Sequence, residues 1–375
     1  MPAHGAEPRI HQTREEKLPL VSLIMAVRNE HLRIEPCLRA ILEQDYPHHR
    51  MEVVIADGMS TDHTNEAIAT IASGSDIPVE VLDNPKFIVS PGLNHAIARA
   101  RGEIIVRIDG HTIIAADYVR QCVAALQRTG ADNVGGRMDP VGETRFGKAV
   151  ALATTSPFGV GGGRFHYSQK EEWVDTVYLG CWRRSVFEKT GLFDEEQVRN
   201  QDDEFNYRLR EQGGKILLCP SIKSVYYNRA TPASLWSQYQ QYGEWKVRVL
   251  QKHPGQMQLR QFVPPIFVLA LVALTALAPF WRIALLFWAL VLGPYLISNS
   301  AASMIASRGG NRRLLPSLMV VFAILHLSYG FGFLRGLVRF WDRWATPHLV
   351  PSLQDIRPAL PQIASSDSSS LAKSL

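Results

Sequence analysis

The chain has 375 residues, enough for one large domain with an appended smaller unit, and a formal net charge of +5. That charge is too small for a nucleic-acid-binding protein, and no dense basic run occurs. The hydrophobic fraction of 46% is ordinary but conceals an asymmetry: residues 1–260 carry nearly all the acidic groups, whereas residues 263–334 are almost free of charge.

Residues 1–18 read as a disordered leader. They are polar and lack the apolar centre of a signal peptide, which leaves the following domain in the cytosol. Leu20–Ala26 is a short apolar strand, followed by Val27-Arg28-Asn29-Glu30. Ile34, Cys37, Leu38, Ile41 and Leu42 fall at helical spacing and predict a helix over Leu32–Glu43, broken at Asp45-Tyr46-Pro47. Val53–Ala56 is an unbroken apolar run of the kind a parallel strand buried on both faces requires, and it ends at Asp57. A turn and cap at Gly58–Asp62 lead into a helix over Asn65–Ala72. A strand at Val79–Leu82, a helix at Gly92–Arg101 and a strand at Ile104–Ile108 follow, the last ending at Asp109. This alternation predicts an open parallel α/β sheet with ligands beyond the carboxyl ends of the strands, where Asp57 and Asp109 both lie.

The glycine-rich stretch Phe158–Tyr167 lacks the phosphate-loop pattern GxxxxGK[ST] and reads as a flexible loop beside the active site or as a plain surface loop. Asp202–Glu211 is a short helix closed by Gly213-Gly214. Pro232–His253 is a longer one that interleaves Trp236, Tyr239, Tyr242 and Trp245 with Lys246, Arg248 and Lys252; it suits a membrane interface or packing on the domain. The four cysteines, Cys37, Cys122, Cys181 and Cys219, have no metal or disulfide spacing and read as reduced core thiols.

Val263–Trp281, Ile283–Ala306 and Leu314–Leu334 contain no Asp, Glu, Lys or Arg, and each approaches the ~20 residues that cross a bilayer as a helix. Arg308, Arg312 and Arg313 put the second connection in the cytosol. Three full crossings would then put the C-terminus outside, yet Arg335, Arg339 and Arg343 favour the inside. Either the third segment does not cross fully or the large N-terminal domain overrides the local bias.

Pro19–Glu30 (PLVSLIMAVRNE), Ile55–Thr64 (IADGMSTDHT), Gly102–His111 (GEIIVRIDGH) and Asn200–Arg210 (NQDDEFNYRLR) stand in the order of the motifs of family 2 inverting glycosyltransferases. With its apolar tail, the chain resembles the bacterial exopolysaccharide enzymes of the succinoglycan ExoA type within that family. The resemblance spans roughly residues 19–250. It implies an α/β GT-A fold, an open and mostly parallel sheet, followed by an all-α membrane segment. The expected organisation is a leader (1–18), a catalytic domain (19–231), an interfacial helix and linker (232–260), three membrane helices (263–334), and a basic juxtamembrane segment with a disordered tail (335–375).

The resemblance further implies a UDP-sugar donor, a polyprenyl-diphosphate-linked acceptor and a place in the cell inner membrane with the catalytic domain cytosolic. Ala26, Arg28, Glu30, Asp57, Asn94 and Asp109 become donor-binding candidates. By its position alone Asp57 could equally cap a helix, Arg28 could form a structural salt bridge and Asn94 could be a cap; Asp62 is the better candidate for pure capping. Loss of a nucleoside diphosphate develops charge on phosphate oxygens, which a divalent cation stabilises. The family pattern Asp-x-Asp is here Asp109-Gly110-His111. An imidazole replaces the second carboxylate, which favours Mn²⁺ over Mg²⁺ if Asp109 and His111 are ligands. His111 could instead touch phosphate or be a loop histidine.

Inverting transfer needs one general base. The family's Glu-Asp aligns with Gln201-Asp202, which makes Asp202 the base; Asp203 is the second candidate, and a solvated acidic helix start is the alternative. Trp182, Gln241 and Trp245 are acceptor-binding candidates, although Trp182 could simply fill the core. In Gln241–Trp245 (QYGEW), Glu244 stands where the QxxRW element of processive synthases has arginine, which points to addition of a single sugar. The competing reading is a non-catalytic sugar-nucleotide-binding scaffold, motivated by His111 and Gln201. A transporter is disfavoured because the apolar segments hold no acidic residue, and a nicotinamide dehydrogenase because no GxGxxG follows the first strand.

Overall fold

The computed structural model describes residues 18–308, 311–344 and 350–356. All of the expected leader but Leu18 falls outside the described residues, as does the tail beyond 356. The first half follows the predicted alternation: β1 (Val21–Val27), α1 (His31–Leu42), β2 (Met51–Asp57), α2 (Thr64–Ala72), β3 (Val79–Asp83), α3 (Val89–Arg99) and β4 (Ile104–Arg107). β2 and β4 are buried along their whole length, and β1 at every position but one, which is why their sequences are continuous rather than alternating apolar runs. Two of the polar exceptions, Ser22 and Glu52, satisfy each other. Ser22 Oγ donates to Glu52 at 2.6 Å, and Arg101 N donates to the same carboxylate, so β1, β2 and the entrance to β4 share one anchor.

The chain continues through β5 (Thr112–Ile114), α4 (Tyr118–Thr129), β6 (Asn133–Val141), α5 (Arg145–Thr154), α6 (Pro157–Val160), β7 (Glu172–Val174), β8 (Tyr178–Arg183), α7 (Arg184–Thr190), α8 (Gln201–Glu211) and β9 (Ile216–Tyr227). All nine strands form one sheet of order β3-β2-β1-β4-β8-β6-β9-β5, with β7 also on β9. The β3-β2-β1-β4 half is parallel. The rest is mixed: β8 enters antiparallel between β4 and β6, and β5 and β7 are antiparallel to β9, so the sheet is less uniformly parallel than the alternation suggested. The strand order reverses its direction of growth at β1, between β2 and β4. That switch point opens a crevice at the carboxyl ends of β1 and β4.

Trp182 on β8 packs edge-on to Phe187, Phe193 and Phe205, with ring centroids 5.4–6.2 Å away, and is 2% exposed. The acceptor-binding expectation for this residue is therefore overturned, because a ring enclosed by α7, α8 and the segment between them has no face left for a sugar.

The glycine-rich stretch is also more ordered than expected. It begins with α6, whose Phe158 packs on Phe322, and Gly162 lies under the Arg260 guanidinium. Helix α9 (Pro232–Lys252) then leads to α10 (Val263–Leu277), α11 (Ile283–Ala306) and α12 (Leu315–Arg339). Three spans, Leu259–Leu277, Ile283–Ala306 and Arg312–Arg339, are long and apolar enough to cross a membrane. α9 lies against α12 at glycine contacts. A Cβ on Gly243 would meet Tyr329 O at 2.0 Å, and one on Gly332 would meet Gln240 O at 2.0 Å. Residues 350–356, expected as part of a disordered tail, return to the domain: α13 (Leu353–Ile356) buries Leu353 and Ile356 in the core that holds Phe187 and Leu192.

Gly332→Ala should force α9 and α12 apart and lower stability by about 1–3 kcal/mol, with a lower Tm in a thermal melt. Trp182→Ala should cost about 3–5 kcal/mol by denaturant titration, whereas Trp182→Phe should keep both fold and acceptor KM. A raised acceptor KM in Trp182→Phe at unchanged stability would contradict the core assignment.

Candidate active site

Three loops meet at the switch point: Arg28–Glu30 after β1, Gly58–Thr64 after β2, and Asp109–His111 after β4. Side chains stitch the first two together. Asn29 N donates to Ser60 Oγ at 2.9 Å, Thr61 N donates to Asn29 Oδ1 at 2.8 Å, and Glu30 N donates to Thr64 Oγ1 at 2.9 Å. Asp57 is 2% exposed, and its carboxylate accepts from Ser60 N, Ser60 Oγ and Asn65 Nδ2 at 2.9, 2.5 and 2.9 Å. It anchors its own loop, and a nucleobase would have to share it. Asp62 does the capping expected of it, accepting from Thr64 N at 3.1 Å and from His31 N at 3.2 Å. Arg28 lies over the Phe87 ring at 4.9 Å. Ala26 faces α3, within reach of a Cβ built on Gly92.

Asn94 is corrected. Fully buried, it accepts from Phe193 N at 2.9 Å and donates to Phe193 O at 2.8 Å, so its amide is a tie between α3 and the segment before α8 rather than a donor contact.

Asp109 and His111 face the crevice from the β4 turn. Gly110 is required there, since a Cβ would stand 2.9 Å from Val27 Cγ1 and 3.2 Å from Glu30 Cγ. Arg107, buried on β4, places Nε and Nη2 at 3.0 and 2.9 Å from Asp109 Oδ1. Its Nη1 has no hydrogen-bond partner among the described residues. His111 Nδ1 lies 3.0 Å from Glu30 Oε1, and its ring meets Tyr226 edge-on at 5.5 Å. Burial opposes a charge on His111, but the Glu30 hydrogen bond and the nearby Asp109 outweigh it and raise its pKa above the ordinary histidine value. Among the described residues no group of three or more His, Cys, Asp and Glu side chains is arranged to hold a metal ion.

Asp202 sits in the first turn of α8, whose start is set by Asn200 at φ 59° with its Nδ2 donating to Tyr242 O at 2.9 Å. Burial raises the pKa of Asp202, with Asp203 and Asp109 adding to the effect and Arg107 partly offsetting it. Asp109 and Asp202 thus both act on the charge of Arg107. Asp203 points elsewhere and is paired with the Lys246 ammonium of α9. That ion pair engages one oxygen of this second base candidate and ties it to α9.

Gln241 accepts from Arg199 Nε at 3.0 Å and donates to Ser237 Oγ at 3.2 Å, bracing the loop before α8. Trp245 packs on Phe340 at 5.3 Å, with the Arg339 guanidinium 5.7 Å from its ring. Both acceptor-binding expectations give way to bracing roles that only the packing of α9 reveals. The signal for Arg107 was present in the sequence, as a lone charge inside the apolar run Ile104–Ile108, and was not taken up.

A profile of the family described as Glycosyl transferase family 2 matches residues 22–191. The succinoglycan biosynthesis protein ExoA of Rhizobium meliloti (strain 1021) is 33% identical over 297 residues, which cover 78% of this chain and 88% of that protein. A dolichyl N-acetyl-alpha-D-glucosaminyl phosphate 3-beta-D-2,3-diacetamido-2,3-dideoxy-beta-D-glucuronosyltransferase of Methanococcus voltae is 26% identical over 328 residues, covering 85% of this chain and 97% of that one. In structure, the mannosyltransferase PcManGT from Pyrobaculum calidifontis, solved with GDP-Man and Mn²⁺, matches with a TM-score of 0.55 at 19% identity, covering 89% of this chain and 93% of that one, which supports the GT-A fold. Profile and relative together show that the chain belongs to the family 2 glycosyltransferases.

Proposed function

We propose that the enzyme transfers a single sugar, with inversion, from a UDP-sugar, glucose being favoured, to a polyprenyl-diphosphate-linked glycan in exopolysaccharide or cell-envelope polysaccharide synthesis. The catalytic domain works on the cytosolic face of the inner membrane, held there by the apolar helices. The observation that supports this reading is that the buried Arg107, in contact with Asp109, also feels the charge of Asp202. One carboxylate serves the leaving group and the other the nucleophile.

Asp202 takes the proton from the acceptor hydroxyl as that oxygen bonds to the anomeric carbon. The bond from the anomeric carbon to the phosphate oxygen breaks, and its electron pair leaves with the nucleoside diphosphate. A raised pKa makes Asp202 a stronger base than an ordinary aspartate. Asp109 and His111 fit a divalent cation that keeps waters and substrate phosphates in its shell. Arg107 grips only Oδ1 of Asp109, and a ligating histidine commonly donates its other ring N–H to a carboxylate, the form of the His111–Glu30 pair. When bound, the cation stabilises the charge developing on the diphosphate. The ExoA relative, named for succinoglycan biosynthesis, supports the polysaccharide assignment, and the dolichyl phosphate named for the Methanococcus relative supports an acceptor carried on a lipid.

Incubating the purified protein with UDP-glucose, Mn²⁺ and a polyprenyl-diphosphate-linked acceptor should give a hexose-extended lipid by mass spectrometry. Asp202→Asn should lower kcat about 10²–10⁴-fold; no product with any UDP-sugar, or equal rates in Asp202→Asn, would sink the reading. The acidic limb of kcat/KM should lie above the ordinary aspartate pKa. It should move to higher pH in Arg107→Met, because the guanidinium holds the Asp202 pKa down. EDTA should abolish transfer and Mn²⁺ restore it better than Mg²⁺, while Asp109→Ala should not respond to either ion; full activity of that variant in EDTA would exclude the metal role.

A further inference from the structure

We infer that α12 does not cross the membrane. It lies along the bilayer surface between lipid and the catalytic domain, so that the α10–α11 hairpin is the part of the described chain that enters the hydrocarbon, with both of its ends on the catalytic side.

The packing of α9 on α12 sets the depth of α12. The two helices run side by side in the same direction. Leu235 packs with Leu318, Val321 and Phe322 near their starts; Gly332 approaches Gln240 O and Gly336 approaches Glu244 O midway; Gln251 Nε2 donates to Phe340 O at 2.7 Å near their ends. α9 cannot itself sit in lipid. Its Lys246, Arg248 and Lys252 pair with Asp203, Glu196 and Asp194 of the water-soluble domain, and charged groups at the bilayer centre are strongly disfavoured. A helix flush with α9 along its length therefore stays at the same level.

The ends and the middle of α12 are tied to the same domain. At its start Arg145 of α5 donates to Arg313 O at 2.6 Å, and midway His326 Nε2 lies 2.7 Å from Phe158 O. At its end Arg339 pairs with Glu244, and Arg343 reaches Glu196 at 2.8 Å. Shortly afterwards Pro351 O accepts from Leu192 N at 2.9 Å, and Leu353 and Ile356 enter the core. Arg343 and Pro351 both contact the catalytic domain, so the chain leaves α12 on the side to which residues 350–356 return.

Exposure separates the helices in the same way. In the most apolar window of α12 44% of residues are buried, against 11% in those of α10 and α11. α12 leaves a stripe of Val320, Phe331 and Val338, followed by Trp341 and Trp344, whose amphipathic rings favour the headgroup level. α10 and α11 instead leave Ile266, Leu269, Leu286 and Leu290 uncovered and contain no charged residue of their own, a surface whose partner is lipid. Arg308, Arg312 and Arg313 then lie on the same side as Arg335, Arg339 and Arg343, which removes the conflict in the basic-residue bias.

Single cysteines introduced by Glu66→Cys, Asn311→Cys and Asp342→Cys test this with a membrane-impermeant maleimide in sealed vesicles. The four native cysteines are buried and should stay silent. All three introduced thiols should react from the same face, and none from the other, with reaction of all three in detergent as the control. Labelling of Asp342→Cys from the face opposite Asn311→Cys would show that α12 crosses and overturn the inference. Recovery of the protein entirely in the soluble fraction would overturn it too, since the hairpin would then have no lipid partner. The readout is independent of sugar transfer, so the failure of either proposal leaves the other standing.

Discussion

Helix α9 carries Glu244, Lys246, Arg248 and Lys252 within two turns, and the cost of burying those charges unpaired governs what lies on either side of it. Toward the sheet, its three cations find carboxylates in α8 and in the segment that leads into it, and that segment donates to α9 carbonyls. Lys246 takes Asp203, Arg248 and Lys252 take Glu196, and Asn200 and Gln197 reach the carbonyls of Tyr242 and Trp245. Toward the membrane helices, Gly243 lets α12 approach backbone to backbone, and Glu244 receives Arg335 and Arg339. One helix therefore positions the carboxylates of α8 and docks the apolar part of the chain.

This arrangement couples membrane seating to the crevice by contact alone. Gln238 of α9 donates to Tyr226 OH at 3.1 Å, and Tyr226 is the ring against which His111 rests. Glu204 and Arg208 on α8, with His253 just past α9, form a further buried ionic cluster that fixes the helix carrying Asp202. Breaking one member of such a network leaves the others uncompensated, so the geometry near the acceptor side is rigid rather than adaptable.

Within the crevice, the electrostatics set two carboxylates in different environments. Asp109 is held by a guanidinium through one oxygen. Asp202, desolvated by its surroundings and influenced by Asp203 and Asp109, is pushed toward basicity. Environment rather than residue type makes this distinction, the general route by which one site runs acid and base chemistry together.

The sequence by itself determined the parallel half of the sheet and the ends of its strands, because burial on both faces demands unbroken apolar runs, and Asp57 and Asp109 terminate two of them. It also marked the apolar tail, since twenty uncharged residues have few other uses. Local patterning could not say which polar side chains look into the crevice and which into protein. Asn94, Trp182, Gln241 and Trp245 all sit near the right motifs, yet each is spent on packing or bracing by residues roughly twenty to a hundred positions away. Arg107, the charge on which the two carboxylates turn, stood in plain view within a strand. Its role emerged only when β4 and α8 were brought together. The same holds for the third apolar segment. Composition marks a helix that tolerates lipid, but only the glycine contacts with α9 and the return of residues 350–356 to the core decide that protein covers one of its faces.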